Sequence, residues 1–416
     1  MEKKDNIEKT LMSIIENIKK NRKLVEQNVS NLSIVFNIIR ENSENISGEN
    51  IETIIKETIK TIDSNKEVEQ LNVIGIAICT YCLPLIRKEK INNLIVDYVK
   101  TFPNEFETEA LISLTIVIYE FMVMTGNKSI NKQYYFGYSI MVLNKYSTNE
   151  DIVEYSMRLL CRIIKGDGVL ITNIVDKEIW TMLMTVSGKY YNNFQIQKYL
   201  LRILNQIISN LTSKENKEII TQYYLNRIQE SEGEIKELLY NGIYYCTKQS
   251  INNTDFVNSI LQIIGEELKE DKENNSIVIS NCFGILNNLQ EQQIDIFINS
   301  TIIDNIIQLT IKYMNDIVIQ KYGIHLLRLS SFHDKFYCNE SLLSIRKSIT
   351  LYKTDNQILE DSCVICYNLY LNEEDIEKKE NIKTVVNLIK ETNSTNKIIY
   401  AIWYALSNHL TLNFVH

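Results

Sequence analysis

Hydrophobic positions along the chain recur with the spacing of a helix, and the predicted helices themselves recur about every 40 residues. The segment 302–313 (IIDNIIQLTIKY) has apolar residues at i, i+3, i+4 and i+7, as a helix with one buried face does. A second helix is predicted over 317–329, and either Asn315 or Asp316 can cap it. No alternating strand pattern of comparable length occurs. The pattern therefore predicts an all-α protein built from pairs of helices.

The second helix of each pair contains an anchor position that repeats along most of the chain, with an average spacing of about 41 residues. Such a period is typical of stacked helical repeats, in which each unit buries its apolar face only against its neighbours. The residue before the anchor, which we call the ladder position, is Asn288, Arg328, Asn368 or Asn408 in the last four repeats, at intervals of 40 residues. The anchors are Cys79, Ile118, Ile163, Ile207, Cys246, Leu289, Leu329, Leu369 and His409.

This series divides the chain into two predicted segments. Residues 67–416 form the repeat array, with about eight or nine repeats. Residues 1–66 form N-terminal helices, and Ile38–Ile39 lies far enough before Cys79 for a degenerate first repeat there.

Two further positions of the second helix are predicted to be core. They lie five and two residues before the ladder position, so they share one helical stripe with the anchor. In the last four repeats none of them is Asp, Glu, Lys or Arg. They are Phe283, Gly323, Cys363 and Trp403, and Leu286, Leu326, Cys366 and Leu406.

Composition and charge narrow the class of protein. The 416 residues are 45% hydrophobic and include only 2 Pro and 12 Gly, which favours long helices over a turn-rich fold. The net charge of −8 argues against general binding to nucleic-acid phosphates. We therefore expect protein partners and no nucleic acid.

The remaining chemistry-bearing residues suggest neither a cofactor nor catalysis. The eight Cys lie mainly in apolar helical runs, as reduced core residues do, so we expect a cytoplasmic and/or nuclear protein. No secretory signal or membrane span is predicted. The Cys79/Cys82 and Cys363/Cys366 pairs are too far apart along a repeat array to share a zinc ion. We expect no metal, no cofactor and no enzymatic activity.

The repeat resembles the armadillo family, and less specifically the related HEAT repeats. Armadillo repeats are about 40 residues long, and their last helix carries a small–x–x–Leu–x–Asn–Leu pattern. This chain has IQKYGIHLLRL over 319–329, LEDSCVICYNL over 359–369 and IYAIWYALSNH over 399–409. The resemblance covers roughly residues 67–416 and implies an all-α, right-handed α-solenoid of armadillo-like repeats.

The resemblance also implies a binding groove. In armadillo proteins, the ladder position and the positions four and eight residues before it line that groove. In importin alpha, a repeated ladder Asn binds the main chain of an extended basic signal, and a Trp four residues earlier flanks its Lys side chains. Of those Trp positions only Tyr404 is aromatic here. The implied peptide-binding residues are Asn288, Arg328, Asn368, Asn408, Tyr404, Glu360 and Gln320.

Two hypotheses for function follow. The first is a non-enzymatic adaptor that holds extended, basic peptide segments in its groove, as a nuclear-import adaptor of the importin alpha type does. On this hypothesis Glu360 supplies negative charge and Asn288, Asn368 and Asn408 bind the peptide main chain. The alternative is a structural armadillo or HEAT scaffold for cytoskeletal, phosphatase or trafficking complexes, which needs no basic linear motif.

Overall fold

The structure, a computed structural model, is all-helical wherever it describes the chain, as the hydrophobic pattern predicted. Contacts between helices divide it into two compact units, Met1–Asn210 and Leu211–His416. The described residues are 2–42, 45–85, 89–100, 109–125, 131–174, 177–209, 214–248, 254–269, 275–292, 300–332, 339–392 and 396–408.

Unit 1 consists of helix pairs whose second helices stack side by side. These second helices are α2, α4, α6, α8 and α11, and each packs on the next. The first helices α1, α3 and α5 pack on one another in chain order, and α7 packs on α10. The bounds are α1 (Glu2–Lys20), α2 (Val25–Asn42), α3 (Gly48–Asp63), α4 (Glu69–Cys82), α5 (Glu89–Lys100), α6 (Glu109–Met124), α7 (Lys132–Lys145), α8 (Glu150–Ile163), α9 (Gly168–Ile174), α10 (Lys177–Lys189) and α11 (Phe194–Ile208), with a short 3-10 turn at Leu83–Leu85.

Unit 2 repeats this arrangement. Its second helices α13, α15, α17, α19 and α21 stack in chain order, and the first helices α16, α18 and α20 pack in a separate layer. The bounds are α12 (Lys214–Ile228), α13 (Gly233–Thr247), α14 (Thr254–Glu267), α15 (Ser276–Glu291), α16 (Ser300–Lys312), α17 (Ile317–Ser330), α18 (Asn339–Leu351), α19 (Asn356–Asn372), α20 (Ile376–Thr392) and α21 (Lys397–Ser407).

The predicted anchors and core stripe coincide with the second helices. Each anchor from Cys79 to Leu369 lies in a second helix, whereas His409 lies outside the described residues. The core positions are buried, apart from Trp403, which is half-buried under the ammonium of Lys390, with the Nζ atom 3.3 Å from the ring centre. Burial of one such large apolar side chain contributes about 1.5–3 kcal/mol. This stripe holds each second helix against its neighbours.

The predicted boundary at residues 66/67 falls between α3 and α4, two helices that pack against each other. Residues 1–66 therefore include α1, α2 and α3, and the pairing of helices begins with α1 and α2. The division into an N-terminal segment and a repeat array stays a prediction.

A buried amide joins the two helices of several repeats. Gln320 is 1% exposed, and its Nε2 donates to the carbonyl oxygens of Thr310 (2.6 Å) and Tyr313 (3.3 Å) at the end of α16. Since the last carbonyl groups of a helix have no partner within it, this amide supplies a donor that the backbone lacks. Buried amides recur at the same place in other second helices. Gln197 donates to carbonyl groups at the end of α10, and Asn28 and Asn72 donate to carbonyl groups in the turn that follows the preceding helix.

A second polar joint links successive repeats at the beginning of the second helices. In α15, the Asn275 side chain caps its own helix by accepting from Ile277 N (2.9 Å) and also donates to Glu237 of α13. Asn396 of α21 bonds to Glu360 of α19 in the same way. Between α17 and α19 the chemistry is exchanged: the cap is Asp355 and its partner is Lys321, with 2.7 Å between Nζ and Oδ2.

We expect Gln320→Leu to lower the free energy of unfolding by about 1–3 kcal/mol, because two carbonyl groups at the end of α16 lose their buried donor. The matched control is Gln357→Leu, on an exposed position of α19, which should change stability by less than about 0.5 kcal/mol. Urea unfolding followed by circular dichroism measures both. Equal effects of the two substitutions would contradict the structural role of Gln320.

The exchanged cap joint allows a test by charge reversal. Lys321→Glu places a carboxylate beside Asp355 and should destabilise unit 2 by up to about 1 kcal/mol, since this pair is partly exposed. Adding Asp355→Asn recreates the Glu–Asn joint of the other two repeats and should restore most of the loss. A double-mutant cycle by urea unfolding measures the coupling. Additive effects of the two substitutions would show that the joint contributes nothing.

Candidate protein-binding surface

The ladder position of α15 is occupied by an amide that bonds to the preceding repeat. Asn288 Nδ2 donates to the Tyr244 carbonyl oxygen (3.2 Å) and to Thr247 Oγ1 (3.0 Å), both near the end of α13. Gln292 adds a bond from Nε2 to the Thr247 carbonyl oxygen (2.6 Å). An amide has two N–H donors, so both donors of Asn288 are directed at α13. A peptide main chain would have to compete with these bonds.

Asn368 also bonds to the preceding repeat. Its side chain is 8% exposed in total, and Nδ2 donates to Ser331 Oγ (2.8 Å) just after the end of α17. The Ser331 hydroxyl in turn donates to the Arg328 carbonyl oxygen (2.6 Å). In unit 1, Gln206 at the ladder position of α11 contacts the Cys161 carbonyl oxygen of α8 (3.3 Å). Asn288 and Gln206 therefore bond to backbone carbonyl groups of the preceding second helix, and Asn368 bonds to a hydroxyl group just after the end of that helix.

Arg328, the ladder residue of α17, belongs to a cluster around a buried carboxylate. Its Nη1 donates to Asp361 Oδ1 of α19 (2.8 Å), and His325 Nδ1 lies 3.0 Å from Asp361 Oδ2. Asp361 is only 3% exposed, and an ionised carboxylate can be buried to this degree when it is paired and hydrogen-bonded. Lys321, His325 and Arg328 give α17 a basic stripe at i, i+4 and i+7.

The structure places the other predicted site residues in different environments. Gln320 does not line an open stripe, because it is buried in the joint between α16 and α17. Glu360 is half-buried and bonded to Asn396. Tyr404 is 49% exposed and Asn408 is exposed, with its Nδ2 donating to the Tyr404 carbonyl oxygen (2.8 Å) within the same segment. Of the seven predicted peptide-binding residues, Tyr404 and Asn408 are exposed, and the other five are half-buried or buried.

Unit 1 presents a group of cations outside the set of predicted site residues. Glu120 of α6 is 5% exposed, and its two oxygens accept from Arg158 Nε (2.6 Å) and Arg162 Nε (2.5 Å) of α8. The side chains of Arg158 and Arg162 remain 23% and 40% exposed. The buried carboxylate thus fixes both guanidinium groups at the surface of the second-helix layer.

Two more cations lie beside this pair. Burial raises the pKa of the Cys161 thiol, and the positive charges of Arg202, Arg162 and Lys165 oppose that rise, which places all three near the sulfur atom. Arg202 of α11 and Lys165, just after α8, are exposed. We call Arg158, Arg162, Lys165 and Arg202 the cationic patch. A sequence signal existed in Arg158 and Arg162, which lie four residues apart on one face of a predicted helix.

Aromatic rings accompany these cations. The guanidinium carbon of Arg158 lies 5.1 Å from the centre of the Tyr155 ring, and that of Arg202 lies 6.0 Å from Tyr199. Such contacts between cations and aromatic faces contribute about 0.5–1 kcal/mol at exposed sites. They hold the guanidinium groups over the helix surface and restrict their conformations.

The cysteine pairs are buried thiols. Burial raises the pKa of Cys82 and of Cys366 to about 12, and it also raises the pKa of Cys79 and of Cys363. In the part of the chain that the structure describes, no three His, Cys, Asp or Glu side chains are grouped so as to hold a metal ion. His333, Cys338, His409 and His416 lie outside the described residues. None of the described helices has the length and hydrophobicity of a membrane span.

Comparison with solved structures identifies the fold. A chain of an engineered protein superposes with a TM-score of 0.62 at 12% identity, covering 96% of this chain and 98% of that one. A chain from a structure on the interaction between cadherin and beta-catenin has a TM-score of 0.53 at 12% identity, over 96% and 90% of the two chains. A chain of the SYS-1/POP-1 complex has a TM-score of 0.50 at 12% identity, over 98% and 100%. No protein-family model and no curated protein sequence matches.

These likenesses establish the fold of the chain. The chain has the all-α fold of armadillo-type helical-repeat proteins, as the 40-residue period predicted. The neighbours are similar to this chain in fold, and the resemblance to importin alpha in particular stays a prediction.

Asn368→Ala should lower the free energy of unfolding by about 1–2 kcal/mol, because the substitution removes a buried hydrogen bond between α19 and the end of α17. Asn408→Ala removes the same side chain from an exposed ladder position and should cost less than about 0.5 kcal/mol. Thermal and urea unfolding of both variants give the comparison. If Asn408→Ala cost as much as Asn368→Ala, the ladder amide would not be acting through its bond to the preceding repeat.

Proposed function

We propose that this chain is a non-enzymatic protein-binding scaffold that holds extended, acidic segments of partner proteins on unit 1. The segments would lie on the exposed surface of the second helices, which we call the second-helix face. The observation that carries the proposal is the cationic patch of Arg158, Arg162, Lys165 and Arg202 on a chain of net charge −8. Glu120, which pairs with Arg158 and Arg162, and Glu154, on which the charge of Arg158 acts, bring two negative charges to the four positive charges of the patch. The patch therefore keeps a local excess of positive charge.

The spacing of the patch suits an extended peptide. Neighbouring packed helices lie about 8–10 Å apart, which corresponds to about three residues of an extended chain. Carboxylates at this interval can meet cations on α8 and on α11. Arginine forms two parallel hydrogen bonds to a carboxylate, so the patch combines charge with directional recognition.

Preorganisation favours binding at this patch. The Glu120 bonds and the Tyr155 contact restrict Arg158 before any partner arrives, which reduces the conformational entropy lost on association. Two of the structural neighbours are chains from structures of interacting proteins, cadherin with beta-catenin and SYS-1 with POP-1. Fold likeness does not transfer a partner, but it supports a binding role over catalysis.

The nuclear-import hypothesis supplies an alternative ligand, a basic segment. It is supported by the exposed rings of Tyr400 and Tyr404, which can flank a lysine side chain through cation–π contacts. It is weakened by Asn288 and Asn368, whose amide donors already bond to the preceding repeat. A structural scaffold without linear motifs is the remaining alternative, and a cytoplasmic and/or nuclear location fits each hypothesis.

The test is binding of a rhodamine-labelled octaglutamate peptide, with acetyl and amide ends, measured by fluorescence anisotropy. Lys165→Gln combined with Arg202→Gln should weaken binding about five- to tenfold, because each removes a partly exposed ion pair, and should reduce the salt dependence. These residues are chosen because both lie at exposed positions, and circular dichroism of the double variant checks that the fold is preserved.

The matched control is Lys20→Gln with Lys23→Gln, which removes the same charge from exposed positions of the N-terminal KKNRK segment and should leave binding unchanged. Equal weakening by both double variants would show a net-charge effect and overturn the site. Preference for an octalysine peptide, lost in Asn368→Ala/Asn408→Ala, would favour the import hypothesis instead. Equal binding of an oligonucleotide of the same charge would contradict a peptide-specific scaffold.

A further inference from the structure

A pair of tyrosines forms an arch over one helix of unit 2. Tyr244 of α13 and Tyr322 of α17 are separated by the intervening helix α15, yet their hydroxyl oxygens lie 3.1 Å apart. Both side chains are half-buried. The two rings therefore cover α15 at this point, and their hydroxyl groups meet above it. We call Tyr244 and Tyr322 the tyrosine arch.

Gly284 makes the arch possible. A Cβ atom at this position would lie 2.8 Å from Tyr244 Cε2 and 2.9 Å from Tyr244 Cδ2, closer than carbon atoms approach. It would also lie 3.5 Å from Tyr322 Cε2. The absence of a side chain thus lets both rings rest directly on the α15 backbone. Glycine in a helix interior costs about 1 kcal/mol relative to alanine, which the close ring contacts can offset.

A cation without a carboxylate partner lies beside the arch. Lys248 Nζ is 4.7 Å from the centre of the Tyr244 ring and 5.7 Å from that of Tyr245. Among the described residues it forms no ion pair, and its side chain is exposed. Burial and then the hydrogen bond with Tyr244 raise the pKa of Tyr322 to about 12, while Lys248 opposes and Glu291 reinforces the rise. Tyr322 consequently remains protonated at neutral pH.

Counting donors identifies the ligand chemistry. The two phenol groups have two hydroxyl hydrogens, and their mutual bond uses one, so one remains for a ligand. Lys248 has three N–H donors, none of which bonds to a described residue. A carboxylate is an acceptor-only group with room for several such bonds, and its charge complements the ammonium group. A cationic ligand would meet repulsion from Lys248 at the same place.

We propose that the tyrosine arch and Lys248 form a carboxylate subsite on unit 2 that binds an acidic residue of a partner segment. This proposal deepens the proposed function, because it assigns a second contact point for the same class of acidic partner. The subsite lies on the second-helix face, where the ladder amides Asn288 and Asn368 are engaged in the fold and the arch hydroxyl and Lys248 are available.

A purely structural arch would behave differently. It would stabilise the packing of α13, α15 and α17 whatever the state of Lys248, and neutralising Lys248 would leave peptide binding unchanged. The carboxylate subsite instead makes binding depend on the ammonium group and on the phenol hydrogen. Lys312 provides the matched control, because its Nζ lies 5.5 Å from the centre of the Tyr313 ring without a neighbouring hydroxyl pair.

The experiment measures anisotropy of the labelled octaglutamate peptide with the full chain carrying Lys165→Gln and Arg202→Gln, so that the cationic patch contributes least. Adding Lys248→Gln should weaken the remaining affinity about tenfold, and adding Tyr322→Phe about threefold, in line with charged and neutral hydrogen bonds. Adding Lys312→Gln should change nothing. Equal effects of Lys248→Gln and Lys312→Gln would overturn the subsite.

Gly284→Ala tests the geometry of the arch independently of charge. The new Cβ displaces the Tyr244 ring, so the affinity should fall at least as far as with Tyr322→Phe. Circular dichroism establishes that the variant remains folded. Unchanged affinity in folded Gly284→Ala and in Tyr322→Phe would remove the arch from the proposed site.

Two further arms separate the sources of carboxylate and the two proposals. An octaglutamine peptide with a free C-terminal carboxylate that binds more tightly than the amidated octaglutamate would identify the chain terminus as the preferred ligand, and tighter binding of octaglutamate would identify an acidic side chain. Preferential binding of either peptide supports a carboxylate subsite. If Lys248→Gln weakens binding in the otherwise unchanged chain but Lys165→Gln/Arg202→Gln does not, the subsite stands and the proposed site in unit 1 fails. The reverse result overturns the subsite alone.

Discussion

The backbone groups at the ends of the helices impose the constraint on which this structure depends. Each helix ends with carbonyl groups, and begins with N–H groups, that it cannot satisfy itself. When helices stack side by side, part of these groups loses access to water, and an unpaired buried polar group costs about 1–3 kcal/mol. Side-chain amides and carboxylates supply hydrogen bonds at three places. These are the buried amides within a repeat, such as Gln320, the helix caps, such as Asn275, and the ladder amides, such as Asn288.

These joints decide which residues remain for binding. A ladder amide that bonds to the preceding helix, as Asn288 and Asn368 do, has fewer donors for a peptide main chain. Glu360 is likewise engaged with Asn396. The proposed binding residues lie elsewhere, in the cationic patch, in the tyrosine arch and at Lys248. The repetition of amides at the ladder position thus reflects packing between repeats. The charged residues, which do not repeat with this period, carry the proposed recognition.

The sequence predicted the fold well because burial controls the signals it contains. The apolar periodicity predicted the helix pairs. The predicted core positions from Phe283 to Leu406 are buried, apart from Trp403, which is half-buried. The site residues were harder to predict, because the spacing of residues along a helix shows which face a side chain lies on but not how deeply it is buried. Gln320 lies on the predicted stripe, yet it points into the joint with α16, where an amide four residues after the cap Asp316 reaches two carbonyl groups. The tyrosine arch joins residues 78 positions apart, which no local pattern encodes.

The cations of this acidic chain gain their specificity from buried carboxylates. Glu120 holds Arg158 and Arg162 of the following second helix, and Asp361 holds His325 and Arg328 of the preceding one. In both cases a carboxylate less than a tenth exposed is hydrogen-bonded by two partly exposed basic side chains. One negative charge cannot neutralise two full positive charges, so the Glu120 cluster retains positive charge at the surface and its geometry is fixed by a buried anchor. The same arrangement that makes a buried acid tolerable therefore produces preorganised cations for an acidic partner.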